Sequence, residues 1–194
     1  MKQSWRPGTL VYPAAAALVS CGNAKHSNLI TVAWTGTICS DPAMLYISVR
    51  PERFSYHIIR ENMQFTLNLT TADMVRATDL CGVRSGADID KWVLSGLHPY
   101  PGVAVECPAI EESPLSIECR VRSIMELGTH HMFIAEVVNV LADERYMDAE
   151  TGKFDLERAG LMSYSHGAYY GQGERLGTFG YSVKKKKNTK PKQS

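Results

Sequence analysis

NLITVAWTGTICSDPAMLYISVRPERFSYHIIRENMQFTLN, residues Asn28–Asn68, holds the pattern on which the fold turns. Leu29 to Trp34 reads as a strand, followed by a polar turn and a second strand from Met44 to Val49. Pro51 then restricts Arg50 to extended backbone and can open a helix at its first turn. Phe54, Ile58 and Ile59 give that helix an apolar face, and it ends near Asn62. Phe65-Thr66-Leu67-Asn68-Leu69 alternates at period two, which predicts another strand. Hydroxyls are dense for core strands: Thr31, Thr35, Thr37, Ser40, Ser48 and Ser55 stand beside Trp34 and Arg50. A buried hydroxyl must find a partner or cost free energy, so a plain core strand carries few. An apolar body, fixed donors and one cation together suit a flat aromatic ligand that bears a phosphate.

Outward from this stretch, Ala14 to Ser20 reads as a strand joined to Leu29–Trp34 by the polar turn Gly22–Ser27. Thr71 can cap a helix with Asp73 in its first turn, and Gly82 can end it. Met74, Ala77, Thr78 and Cys81 share one face of that helix. Ile89 to Leu94 predicts a short helix closed by Gly96, and the proline-rich Leu97–Pro114 an irregular loop. Leu115, Ile117, Cys119 and Val121 alternate with Ser116, Glu118, Arg120 and Arg122, a strand with one wet face. Met132 to Leu141 is apolar on both sides and predicts a buried strand. Hairpin-connected strands with few short helices point to a barrel rather than a doubly wound sheet.

Composition narrows the classes. A chain of 194 residues can bury its own core, and 44% apolar with 21% charged residues is ordinary for a globular protein. The net charge of +1 hides an asymmetry: Lys184–Ser194 holds six lysines and no acid, leaving 15 basic against 20 acidic residues elsewhere. The body therefore lacks a broad basic footprint, and nucleic acid is not an expected partner. The lysine run is expected to be a disordered, solvated tail. Five scattered cysteines with no C-x-x-C pair fit a reducing compartment, so a cytoplasmic location is expected. No segment reads as a membrane span. Gly171-Gln172-Gly173-Glu174-Arg175-Leu176-Gly177 lacks the spacing and the preceding strand of a dinucleotide fingerprint.

The order N-x-x-T-x-x-W-x-G, D-P, S-V-R-P-x-R-x-S-Y resembles the flavin reductase-like family, and within it the flavoredoxin subgroup. Leu80-Cys81-Gly82 with Ser85-Gly86 and Asp90-Lys91-Trp92 is similar to that subgroup's C-G-x-x-S-G-x-x-x-D-K segment. Gly128-Thr129-His130 followed by Phe133-Ile134-Ala135-Glu136-Val137 resembles its G-D-H-x-x-F-I-G-E-V strand, with Thr129 and Ala135 as departures. The resemblance spans about Pro13 to Val183. It implies a mainly β, Greek-key split β-barrel with short helices: one FMN-binding domain over residues 1–183, ahead of the 184–194 tail. It also implies a homodimer with flavin near the interface. The aromatics Tyr164, Tyr169, Tyr170, Phe179 and Tyr181 are candidates for that contact.

The resemblance assigns FMN contacts to Asn28, Thr31, Trp34, Thr35, Cys39, Ser48, Val49, Arg50, Ser55, Tyr56 and Lys91. Arg50 and Ser55 at a helix start are suited to a phosphate, to which Tyr56 could add a donor. The bland alternative pairs Arg50 with a surface carboxylate. Trp34 serves packing as readily as ligand contact, and Asn28 a turn. Lys91 and His130 are the catalytic candidates, Lys91 to stabilise charge on the reduced ring and His130 to orient the incoming substrate. Adjacent His130 and His131 point to opposite faces of a strand. No ligand set completes a metal site around them. Cys81, at a helix C-terminus, reads as structural. The expected activity is electron transfer from NADH, NADPH or a protein donor through FMN to an acceptor. The alternatives are a non-catalytic flavin-binding carrier between partner proteins and an interaction module without flavin.

Overall fold

The computed structural model describes residues 1–183, so the lysine-rich tail lies outside the described residues. In chain order the elements are β1 (Ala14–Ala15), β2 (Ala17–Gly22), β3 (Ser27–Val32), β4 (Thr35–Ser40), β5 (Ala43–Val49), α1 (Phe54–Asn62), β6 (Gln64–Asn68), α2 (Val75–Val83) and α3 (Lys91–Ser95). β7 (Pro99–Tyr100), β8 (Ala109–Ile110), β9 (Leu115–Glu126), β10 (His131–Ala142), β11 (Met162–Ser165) and β12 (Ala168–Gly171) follow. Seven antiparallel strands in the order β3-β2-β6-β9-β10-β5-β4 make the main sheet. It curls until β3 and β5 approach each other, giving the expected split barrel. β1, β11 and β12 form a separate three-stranded sheet, and β7 pairs with β8.

Two cores follow from the strand periodicity. Inside the barrel, Val19, Ile47, Ile59, Phe65 and Phe133 are fully buried, and Tyr56 and Ile59 of α1 close one end. Outside it, Leu18 and Leu29 face Met74, Ala77 and Cys81 of the helical segment, with Leu97 and Ile110. Alternate residues of β2 therefore serve different cores, which is why the whole strand is buried.

Several local expectations change. The polar turn after Trp34 is an edge strand, β4, paired to β5 through a register shift between Thr37 and Cys39, and the tight turn is confined to Asp41–Pro42. Thr37, Ile38 and Ser40 are exposed, so a polar edge strand reads like a loop. Gly82 does not end α2, which continues to Val83. The absent side chain instead permits close approach: a Cβ there would stand 3.2 Å from Thr31 Cβ on β3. Gly96 does close α3, in the left-handed conformation with its N–H bonded to the Trp92 carbonyl.

The wet face expected of β9 is wet only beyond Cys119. Ser116 and Glu118 are buried under the loop that precedes the strand. Glu118 accepts hydrogen bonds from the Val103 N–H at 2.7 Å, the Ala104 N–H at 2.9 Å and Asn139 Nδ2 at 2.8 Å. β10 is not buried throughout; Phe133 and Ala135 face the core while its outer residues remain half-buried or exposed. β-branched residues on a sheet's outer face account for the difference.

Candidate active site

The turn from β5 into α1 positions the site. Val49 is anchored in the barrel core, Arg50 leaves the strand directly after it, and α1 begins at Phe54. Two adjoining clefts meet there. The larger, about 460 Å³, is lined by Thr31 and Trp34 from the β3 end, Ser48 and Val49 from β5, Gly82 from α2, and His130. The smaller, about 190 Å³, is lined by Asn28, Ser55, Cys81, Arg84, Gly86 and Lys91 among others. Ile30, Arg50 and Arg53 line both. The larger volume lies in the range of small-molecule sites.

The small cleft is built for an anion. Arg50, Arg53, Arg84 and Lys91 line it against Glu52 as the one acid. Phe54 and Ser55 line it too, so the positive end of the α1 dipole faces it. Asn28 Nδ2 donates to Ser55 Oγ at 2.7 Å, fixing both polar groups. The Ser85–Gly86 loop passes directly over them; a Cβ on Gly86 would fall 2.2 Å from Asn28 Oδ1. Lys91 is buried and its Nζ donates to the Leu29 carbonyl at 2.8 Å and the Cys81 carbonyl at 2.7 Å. An ammonium has three donors, so one remains for a group in the cleft. Burial holds the Lys91 pKa below its ordinary value, with Cys81 opposing and Arg53 reinforcing that shift. Burial likewise pushes the Cys81 thiol up to about 11, which makes it a poor nucleophile.

The large cleft is aromatic and less charged. Trp34 and His130 lie against one another with ring centroids 4.2 Å apart. Burial, and next the Arg50 charge, lower the His130 pKa below 6.5. Thr31 donates to the Thr78 carbonyl, tying β3 to α2 along one wall. His131 turns the other way, its Nδ1 2.8 Å from the Tyr56 hydroxyl. The adjacent histidines thus separate as strand geometry requires. An aromatic cleft beside a cationic one fits the chemistry of a planar ring carrying a phosphate arm.

Asn28, Thr31, Trp34, Ser48, Val49, Arg50, Ser55, Lys91 and His130 all line one cleft or the other. Thr35, Cys39 and Tyr56 line neither. Thr35 Oγ1 donates to the Tyr46 carbonyl at 2.6 Å, and Cys39 Sγ lies 3.4 Å from the Asp41 carbonyl at the β4–β5 turn. Tyr56 is 1% exposed; its hydroxyl points into the barrel end, toward His131 and Arg60, and not to the helix start. The bland partner of Arg50 also exists: its Nη1 lies 2.9 Å from Glu52 Oε1, both exposed. Lys91 sits in the small cleft with the anion-suited groups, not in the aromatic one.

Arg53, Arg84, Ser85 and Gly86 escaped the residue assignment, although Arg53, Ser85 and Gly86 stand inside the quoted motifs. Tyr12, Asp79, Tyr164 and Tyr169 complete the large cleft from distant segments; Tyr164 and Tyr169, expected as candidates for a dimer contact, line the cleft within the single chain. Among the described residues no group of three His, Cys, Asp or Glu side chains could hold a metal ion. No helix among them is long and apolar enough to cross a membrane.

Solved structures share the overall fold. Flavoredoxin of Desulfovibrio vulgaris (Miyazaki F) is 31% identical, with a TM-score of 0.86 over 95% of this chain and 100% of that one. Flavoredoxin from Methanosarcina acetivorans is 26% identical with the same TM-score and coverage. An uncharacterized protein of Archaeoglobus fulgidus is 27% identical over 157 residues, 81% of this chain and 86% of its own. The model of the flavin reductase like domain matches residues 9–171, and this chain belongs to that family.

Proposed function

We propose that this protein is an FMN-dependent oxidoreductase that passes electrons from NADH, NADPH or a protein donor through FMN to an acceptor. The observation that carries the reading is the pair of joined clefts. One is aromatic and sized for a ring; the other gathers four cations at the start of α1. The cofactor is FMN, whose isoalloxazine supplies the redox chemistry when bound.

The chain's own residues bind, orient and shield. Arg50, Arg53 and the third donor of Lys91 hold the phosphate, with Ser55 fixed beside them by Asn28. We accordingly assign Lys91 to the phosphate arm, with the charge it places near the ring as a secondary effect. Trp34, Thr31, Ser48 and Val49 shape the ring's slot. His130, kept neutral at pH 7 by burial and Arg50, presents an uncharged imidazole beside that slot and orients the incoming substrate. Residues 1–183 serve as one cofactor-binding unit. A homodimer is the assembly that the family resemblance implies, and Trp5, Leu176 and Phe179, largely exposed in the single chain, are apolar side chains that a second copy could cover. Five free cysteines, four of them buried, support a cytoplasmic location.

The test is the visible spectrum of the purified protein, followed by anaerobic NADH or NADPH. A flavin spectrum that bleaches is the expected result. A bound flavin that neither nucleotide bleaches would point to a carrier fed by a protein donor. A protein that takes up no FMN would refute the cofactor assignment.

A further inference from the structure

One wall of the large cleft is left unused by the cofactor reading. β1, β11 and β12, a sheet apart from the barrel, set Tyr12, Tyr164 and Tyr169 along that wall. The rings pack edge to face: Tyr12 and Tyr164 centroids are 6.1 Å apart, Tyr164 and Tyr169 5.5 Å. Such packing turns neighbouring rings across one another, so the wall offers ring faces as well as edges. β11 and β12 are joined by His166 and Gly167, with φ of 49° and 92°, the backbone of a two-residue hairpin turn. That tight turn brings the His166 ring onto Tyr12 at 6.0 Å.

From this sheet the Tyr169 hydroxyl reaches α2 and donates to Asp79 Oδ1 at 3.2 Å. Burial first, then Asp79, push the Tyr169 phenol up to about 12, so it keeps its proton and its donor role. The bond fixes the Asp79 carboxyl group in place on the cleft wall. Asp79 and the three tyrosines belong to the large cleft alone, whereas Arg50 and Arg53 stand at its junction with the small one. The cleft is therefore polarised, with an anion-binding junction and an aromatic, acidic wall.

We propose that this wall is the subsite for the ring of the second substrate, and that it selects a cationic or neutral ring over an anionic one. Aromatic faces carry negative potential and attract cations and electron-poor rings, and a carboxylate among them repels an anion. The proposal rests on the cofactor reading, since FMN takes the Trp34 side and the arginines and leaves this wall to the substrate.

Three rings of nearly one shape and different charge test it: 1-methylnicotinamide (cation), nicotinamide (neutral) and nicotinate (anion). FMN uptake is first established by absorbance, and each ring is then titrated calorimetrically into the FMN-loaded protein. The cation is expected to bind about tenfold more tightly than the anion, with the neutral ring between them. Asp79→Asn, which can still accept from Tyr169, is expected to bring the three affinities together while FMN affinity is unchanged. Tyr164→Leu is expected to weaken all three rings alike. Equal affinities in the unaltered protein, or a preference for nicotinate, would overturn the subsite while the cofactor assignment stood. Failure of FMN uptake would refute the cofactor assignment instead. The subsite would then fall with it, because it is defined by the room that FMN leaves, with Arg50 and Arg53 occupied.

Discussion

Arg50 is the residue on which most of the site depends. It sits at the junction of the two clefts, pairs with Glu52 and helps to keep His130 unprotonated. Because it is exposed, replacing it by Ala should cost little folding stability. A lost charge-assisted contact to phosphate should weaken FMN binding about 10- to 100-fold, read by fluorescence titration. FMN affinity equal to that of the unaltered protein would refute the phosphate role. The same variant should move His130. With Arg50 gone its pKa should rise, though not fully to 6.5, because burial is the larger cause. NMR titration of the ring measures this directly. In the folded unaltered protein His130 binds fewer protons than in the unfolded chain, between its lowered pKa and 6.5. Its contribution therefore makes stability rise with pH across that window and fall as pH drops through it.

At the scale of elements, β9 and the loop before it depend on one carboxylate. Glu118 receives two backbone N–H groups and the Asn139 amide, and nothing else in that network replaces it. Glu118→Ala would leave three donors without an acceptor and should destabilise by about 3 kcal/mol or more. A thermal melt should register a fall of roughly 10 °C for a chain of this length. Glu118→Gln keeps one acceptor and should fall less. The sequence could not announce this role, because Ser116-x-Glu118 in a strand has the same pattern as a solvent face. Only the loop lying over it changes the outcome. Gly82 is a parallel case: its spacing resembles a helix stop, but the contact with Thr31 makes it a point of close packing.

At the scale of the whole molecule, ligand and partner should act on stability together. FMN that binds the folded chain alone should stabilise it by about 2.7 kcal/mol at one hundred times its dissociation constant. The melting temperature should climb accordingly with FMN concentration, and climb much less in Arg50→Ala. Light scattering should report twice the 21.5 kDa chain mass if the exposed apolar segments at either end meet a second copy. A mass of one chain at micromolar concentration would refute the dimer.

Local order was legible along the chain. Short apolar runs marked β3 and β5, period-two alternation marked β6, and Pro51 marked the entry to α1, since these signals are properties of neighbouring residues. Arg50, Ser55 and Ser48 could be read as one group because a single turn holds them together. Which polar residues are buried, and where a side chain points once its element is packed, depended on segments far away. Tyr56 followed its helix into the barrel, Lys91 crossed to the Leu29 carbonyl, and Tyr12, Asp79 and Tyr169 met across more than 150 residues of chain. A cleft is the space left between packed elements, so only the tertiary structure could decide its walls.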